Sequence, residues 1–174
     1  MQNRKYILIL LGVIILVYLT VKKYKMEFII QAVKTALQKY PREIVENAER
    51  IFRLETAHFK SNQFKATLSP GMEKFSESFP YGWNTINKVV WSVNPALKPI
   101  GFKTFTEGSG LLNDGGKVKT FLSFPNMTAS FSTVCEFLLH YNNNPGRWFS
   151  TDILKQQAYN KTIASIKPKI TSGL

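Results

Sequence analysis

The stretch RLETAHFKSNQF, Arg53 to Phe64, decides how this chain is read, because it sets one acidic residue of a basic sequence at the end of an apolar helical face. Ile44, Val45, Ala48, Ile51, Phe52 and Leu54, with Phe59 beyond them, recur at spacings of three and four, which predicts a helix entered at Pro41 and running up to Glu55. A carboxylate in that position is disfavoured as an anion by the helix dipole and by partial burial. Its pKa should rise, as a general acid working near neutral pH requires. The plainer reading makes Glu55 an exposed helix residue, or a partner of Arg53 or Lys60.

The segment around Glu55 resembles the surroundings of the catalytic glutamate in the lysozyme-like superfamily, in particular its glucosaminidase-type and lytic-transglycosylase-type peptidoglycan hydrolases. There a helix ends in Glu-Ser/Thr-x-x-(Phe/Gly)-x-Ser, and Glu55, Thr56, Phe59 and Ser61 stand at those places. His58 departs from the pattern, since small residues are common at its position in relatives. Downstream, SFPNM (Ser123–Met127) and YNNNPGRW (Tyr141–Trp148) resemble the segment after the hairpin and the crossing that follows it. The likeness runs from about Arg42 to Ile166.

The resemblance implies a mainly α (α+β, lysozyme-like) fold, a helical domain with one small β-hairpin. It implies that Glu55 protonates the oxygen of a β-1,4 link between amino sugars of peptidoglycan glycan strands. Relatives of the glucosaminidase type carry a second acid on the hairpin, for which Glu107 is the candidate and Asp114 the runner-up, and their carboxyl separation bears on stereochemistry. Transglycosylase-like relatives carry a tyrosine beside the acid, and Tyr141 matches its place. Tyr81, Trp83 and Asn84 are candidate substrate residues, because sugar sites use aromatic platforms and amides. As ordinary loop residues they would simply pack the core. Trp148, with Arg147, is expected to close the cleft wall.

Composition sets the outer limits. The chain has 174 residues, 44% of them apolar, enough for one packed domain and an appendage. Its 23 Lys and Arg against 11 Asp and Glu give a net charge of +12, which suits polyanions: nucleic acid, anionic headgroups or cell-wall polymers. The basic residues are scattered without a basic helix or aromatic RNA motif, so specific nucleic-acid binding has no support. Cys135, the single cysteine, lies in an apolar run and reads as a buried hydrophobe. No phosphate loop, HExxH, CxxC or GxSxG occurs, leaving nucleotide, zinc and serine-hydrolase chemistry without a basis. No cofactor and no metal is expected.

Two domains follow: residues 1–25, a membrane anchor with basic flanks, and 26–174, the catalytic domain. Tyr6–Val21 is uncharged and apolar between Arg4-Lys5 and Lys22-Lys23, and no small-x-small cleavage site follows it. A single-pass protein is expected, its domain on the periplasmic or outer side of the membrane, or in the membrane of a lipid-containing virus particle. Beyond it, Lys25–Tyr40 has a helical pattern, with Phe28, Ile29, Ala32, Val33, Ala36 and Leu37 on one face. A short helix is expected over Met72–Ser78, a hairpin over Gly101–Phe124, and helices over Thr128–Tyr141 and Asp152–Ile166. Trp91 belongs to the core, and the tail from Lys167 reads as frayed. The leading expectation is a membrane-anchored peptidoglycan glycosidase. The alternative is a non-catalytic lysozyme-like scaffold or binding protein of an envelope or virion assembly.

Overall fold

The computed structural model describes residues 10–11, 13–15, 26–73, 83–105 and 118–174. These residues are mainly helical, with one two-stranded antiparallel sheet. The chain is helical over 26–37 (α1), then forms α2 (Arg42–Glu55), α3 (Asn62–Thr67) and α4 (Trp83–Ile86). A π-helical turn, Asn87–Trp91, and a 3-10 turn, Pro95–Leu97, lead to β1 (Gly101–Phe105) and β2 (Lys119–Ser123). α5 (Met127–His140), α6 (Gly146–Phe149), α7 (Ile153–Ala164) and a last 3-10 turn, Thr171–Gly173, complete the order.

Each long helix beyond α1 begins at a residue suited to a helix start. Pro41 precedes α2, and Asn126 caps α5 by accepting from the Ala129 amide at 2.8 Å. Asp152 caps α7 through the Lys155 amide at 2.9 Å. The expected hairpin forms with Gly101 opposite Ser123 and Phe105 opposite Lys119. Met72 and Glu73, expected in a short helix, are instead drawn along β2: Glu73 bridges Phe121, and the Leu122 amide donates to the Met72 carbonyl at 2.9 Å. The sheet edge offers unpaired backbone groups, and the passing segment satisfies them.

The core forms around α2. Ile44, Val45, Ala48, Ile51 and Phe52 are buried, while Leu54, one step off that face, is exposed. Phe52 stacks on Phe131 of α5 at 5.3 Å between centroids, and Trp91 donates its indole N–H to Thr133 at 3.1 Å. Trp91 and Cys135 are core residues, as their apolar surroundings in the sequence predict. Gly146 packs α6 onto α7 so closely that a Cβ there would sit 2.6 Å from the Gln156 backbone oxygen.

Among the described residues no helix is long and apolar enough to cross a membrane. The expected span Tyr6–Val21 falls largely outside them, and its described residues Leu10, Leu11 and Val13–Ile15 are helical and exposed.

The C-terminal tail is not frayed. Glu49, wholly buried in the middle of α2, pairs with Arg53 at 2.6 Å. Its two oxygens also accept from the amides of Ile170 (2.9 Å) and Thr171 (2.7 Å) and from the Thr171 hydroxyl (2.7 Å). Arg42 adds a bond to the Thr171 carbonyl at 2.9 Å. A buried acid needs donors from outside its helix, and the tail supplies them. Deleting Ile170–Leu174 strips these donors from Glu49 and is expected to cost about 3 kcal/mol or more, since hydrogen bonds to a charged group are the strong ones. Urea unfolding of the full and shortened chains measures it, and equal midpoints would contradict this account of the tail.

Candidate active site

Glu55 is the last residue of α2, and the chain reverses immediately after it. The reversal is left-handed over three consecutive residues without glycine: Ala57, His58 and Phe59 have φ of 48°, 58° and 66°. Each such residue costs roughly 1 kcal/mol, so the neighbours must hold the turn in place. Thr56 is buried, and its hydroxyl donates to the Phe52 carbonyl and accepts from the Phe59 amide at 2.8 Å. Its carbonyl accepts from Lys60 and Ser61, both at 2.9 Å. Phe59 is driven inward against Phe52 (5.9 Å) and Phe64 (5.6 Å), and Ser61 caps α3 through the Phe64 amide. The Thr, Phe and Ser that follow Glu55 in the sequence therefore build the bend that leaves its carboxyl at an open helix end. His58 sits at the outside of this bend, exposed.

Three further elements surround the carboxyl. Tyr159 of α7 donates its hydroxyl to Glu55 Oε1 at 2.6 Å. Gly71, at φ 77°, passes on another side, where a Cβ would lie 3.7 Å from Glu55 Oε2. Any side chain at Gly71 would be strained by that φ, so glycine keeps this wall low. Phe149 of α6, 47% exposed, stacks on the Tyr159 ring at 5.1 Å with an interplanar angle of 6°. The result is a partly buried acid bonded to a buried tyrosine, with one exposed aromatic ring, Phe149, stacked on that tyrosine.

Electrostatically, Glu55 stands apart from the helix's other charges. Arg53 is committed to Glu49, and among the described residues Glu55 has no ion pair, with Arg53, Lys60 or any other cation. Burial pushes its pKa above the ordinary carboxyl range, and the Tyr159 hydroxyl offsets part of that rise by stabilising the anion. The position at the helix C-terminus acts in the same direction as burial.

Comparison with family models, curated proteins and solved structures finds no match to this chain. The site is accordingly read from its own residues.

Of the residues expected there, Glu55 holds its place. Tyr141 does not: it caps the end of α5, where its ring folds back on Phe137 (4.7 Å) and lies under the Arg147 guanidinium (4.6 Å). The tyrosine beside the acid is Tyr159. Trp148 is also displaced, being 2% exposed and set edge-on against Phe137 at 5.1 Å. In the single turn of α6, successive side chains point to different sides, so Trp148 enters the core and Phe149 faces the site. Glu107, Asp114 and Tyr81 lie outside the described residues. So do the side chains of Trp83 and Asn84, which belong to α4. A signal for Tyr159 was present in the sequence: Gln156, Tyr159 and Ile163 form the buried stripe of α7, and a tyrosine in such a stripe needs a partner for its hydroxyl.

A polar recess of about 310 Å³ lies beside α2 and α7, lined by Asn47, Arg50, Asn143 and Asn160 among others. Asn143, held at φ 56°, accepts from Asn47 at 3.0 Å, and Asn160 joins Asn144 to the Gly146 amide. These amides brace the turn between α5 and α6 and so set where Phe149 emerges.

Because its pKa is raised in the folded chain, the stability linked to Glu55 is full below the ordinary carboxyl range and falls as the pH climbs through the raised value. Glu55→Gln, which cannot ionise, is expected to gain stability over the parent between acid and neutral pH. Thermal unfolding across a pH series checks this, and parallel curves contradict it. Tyr159→Phe removes a donor that favours the anion, so the carboxyl carbon of a ¹³C-labelled Glu55 should titrate at a higher pH than in the parent.

Proposed function

We propose that this chain is a membrane-anchored peptidoglycan glycosidase that cleaves the β-1,4 link between amino sugars, with Glu55 as general acid. The observation that carries the reading is the environment of Glu55: a partly buried carboxyl at a helix C-terminus, bonded to a neutral phenol and, among the described residues, to no cation, near the exposed Phe149 ring. Such an acid retains its proton at higher pH than an ordinary glutamate and can deliver it to a leaving oxygen. The proton goes to the glycosidic oxygen as the bond from that oxygen to the anomeric carbon breaks. Water or a hydroxyl of the substrate then attacks the anomeric carbon, giving a hydrolase or a lytic transglycosylase respectively.

Phe149, backed by the buried Tyr159 ring, offers a flat apolar surface for the face of a sugar ring. A mainly helical fold with one small antiparallel sheet and the Glu-Thr-x-x-Phe-x-Ser resemblance fit this chemistry, Glu107 standing as candidate second acid and Tyr81, Trp83 and Asn84 as candidate sugar contacts. A net charge of +12 suits an anionic wall polymer, and the apolar run Tyr6–Val21 supplies the anchor.

The purified full chain in detergent, incubated with isolated peptidoglycan, should release muropeptides detectable by mass spectrometry. Anhydro-sugar ends identify a transglycosylase and reducing ends a hydrolase. Glu55→Gln should abolish release while the protein stays folded, and retained activity in that variant removes the assignment. Phe149→Ala is expected to lower kcat/KM roughly tenfold, mostly through KM, as the loss of a stacking surface does. Absence of fragments from several wall types, with a folded protein, favours the non-catalytic scaffold of an envelope or virion assembly.

A further inference from the structure

Away from Glu55, the protein contains a second concave feature of a different kind. A cavity of about 360 Å³ opens between α1, α3 and the start of α5, walled chiefly by Phe28, Ile29, Phe59, Phe64, Leu68 and Met127. A space lined this way stays dry and accepts hydrocarbon. Left empty, it deprives its lining atoms of contacts on one side. Met127 gives it a wall that adapts to an irregular occupant.

The polar groups at this cavity share one sign. Lys65 lines it, is exposed, and among the described residues has no carboxylate partner, its ammonium meeting only the Asn62 side chain at 3.3 Å. Asn126 lines it too, as the cap of α5. That cap satisfies the Ala129 amide and leaves the amides of Met127 and Thr128 at the positive end of a helix of 14 residues. An apolar chamber with a cation and a helix N-terminus fits a hydrocarbon chain that ends in an anion. Position favours a membrane source. Phe28 lies seven residues after Val21, the end of the apolar run, a reach of at most about 25 Å even when extended. Lys22, Lys23 and Lys25 between them would draw anionic headgroups to this place.

We propose that the cavity holds one acyl chain of an anionic phospholipid, with Lys65 and the start of α5 facing its headgroup. This site is separate from Glu55 and does not depend on the glycosidase reading. It rests on residues 6–21 placing the domain at a bilayer, and the experiment reads that step by itself. The chief rival occupant is the chain's own apolar segment, residues 6–21.

The full chain is assembled into phosphatidylcholine nanodiscs containing phosphatidylglycerol that carries a photoreactive group in its acyl chain. Co-elution with the discs reports the anchor. After irradiation, adducts are expected on the peptides bearing Phe28–Ile29, Phe64–Leu68 and Met127, with much weaker labelling from a phosphatidylcholine probe of the same chain. Met127→Trp, which fills the cavity, should suppress these adducts. Lys65→Glu, on the surface and harmless to folding, should lower the phosphatidylglycerol adducts about fivefold or more, the share of a single lysine at an anionic surface. Should Met127→Trp fail to fold, Lys65→Glu alone decides. Adducts confined to residues 6–21, equal labelling by the two lipids, unchanged labelling in Lys65→Glu, or a chain that does not co-elute with the discs overturns the proposal.

Discussion

The structure depends first on a buried charge in the middle of α2. Glu49 has no contact with water, and a carboxylate so placed is tolerated only when donors surround it. Arg53, one turn on, supplies part of that requirement, and the rest comes from the far end of the chain at Ile170 and Thr171. Because the donors stand on elements 121 and 122 residues away in sequence, meeting them closes the fold around α2. It also commits Arg53 to Glu49 and away from Glu55 at the end of the same helix. Six residues after Glu49, Glu55 is left with a phenol and, among the described residues, no counter-ion, so burial dominates its pKa. Two glutamates of one helix thereby acquire opposite surroundings, one compensated and one exposed to whatever binds at the helix end.

The second constraint is the reversal after Glu55. Three left-handed residues in succession are unfavourable, and they persist because Thr56 bonds to both ends of the turn while Phe59 is buried between Phe52 and Phe64. The cost of the strain is local, and the compensation comes from core packing. What the bend achieves is geometric: it ends α2 abruptly with its last carboxyl open to one side, and it directs the chain through α3 to Gly71, which returns along β2 to form the opposite wall.

Features encoded by neighbouring residues were legible. The helices of α2, α5 and α7, the paired strands, the burial of Trp91 and Cys135 and the place of Glu55 at a helix end all follow from periodicity and turn chemistry. The partners of Glu55 were harder to read. Tyr141 and Tyr159 both stand at helical positions with apolar neighbours, and only the angle at which α7 crosses α2 selects the second. Trp148 and Phe149 are adjacent aromatics in a helix of four residues, too short to display a period, so which one faces the core was open until α6 was seated on α7 through Gly146. The tail reads as frayed from Lys167-Pro168-Lys169 and its Ser-Gly pair, whereas its order comes from a carboxylate more than a hundred residues earlier.

By itself, then, the sequence determined the long helices α2, α5 and α7, the two paired strands and a carboxyl placed at a helix end, since these depend on residues within a few positions of each other. Only the tertiary structure decided that Tyr159 and Phe149 surround that carboxyl, that Arg53 turns away from it, that the tail is bound, and that α1, α3 and α5 enclose an apolar chamber. Each of these is a meeting of residues far apart in the chain, and such meetings are set by how the faces of α2, α5 and α7 pack, a property of the assembled core that no local pattern contains.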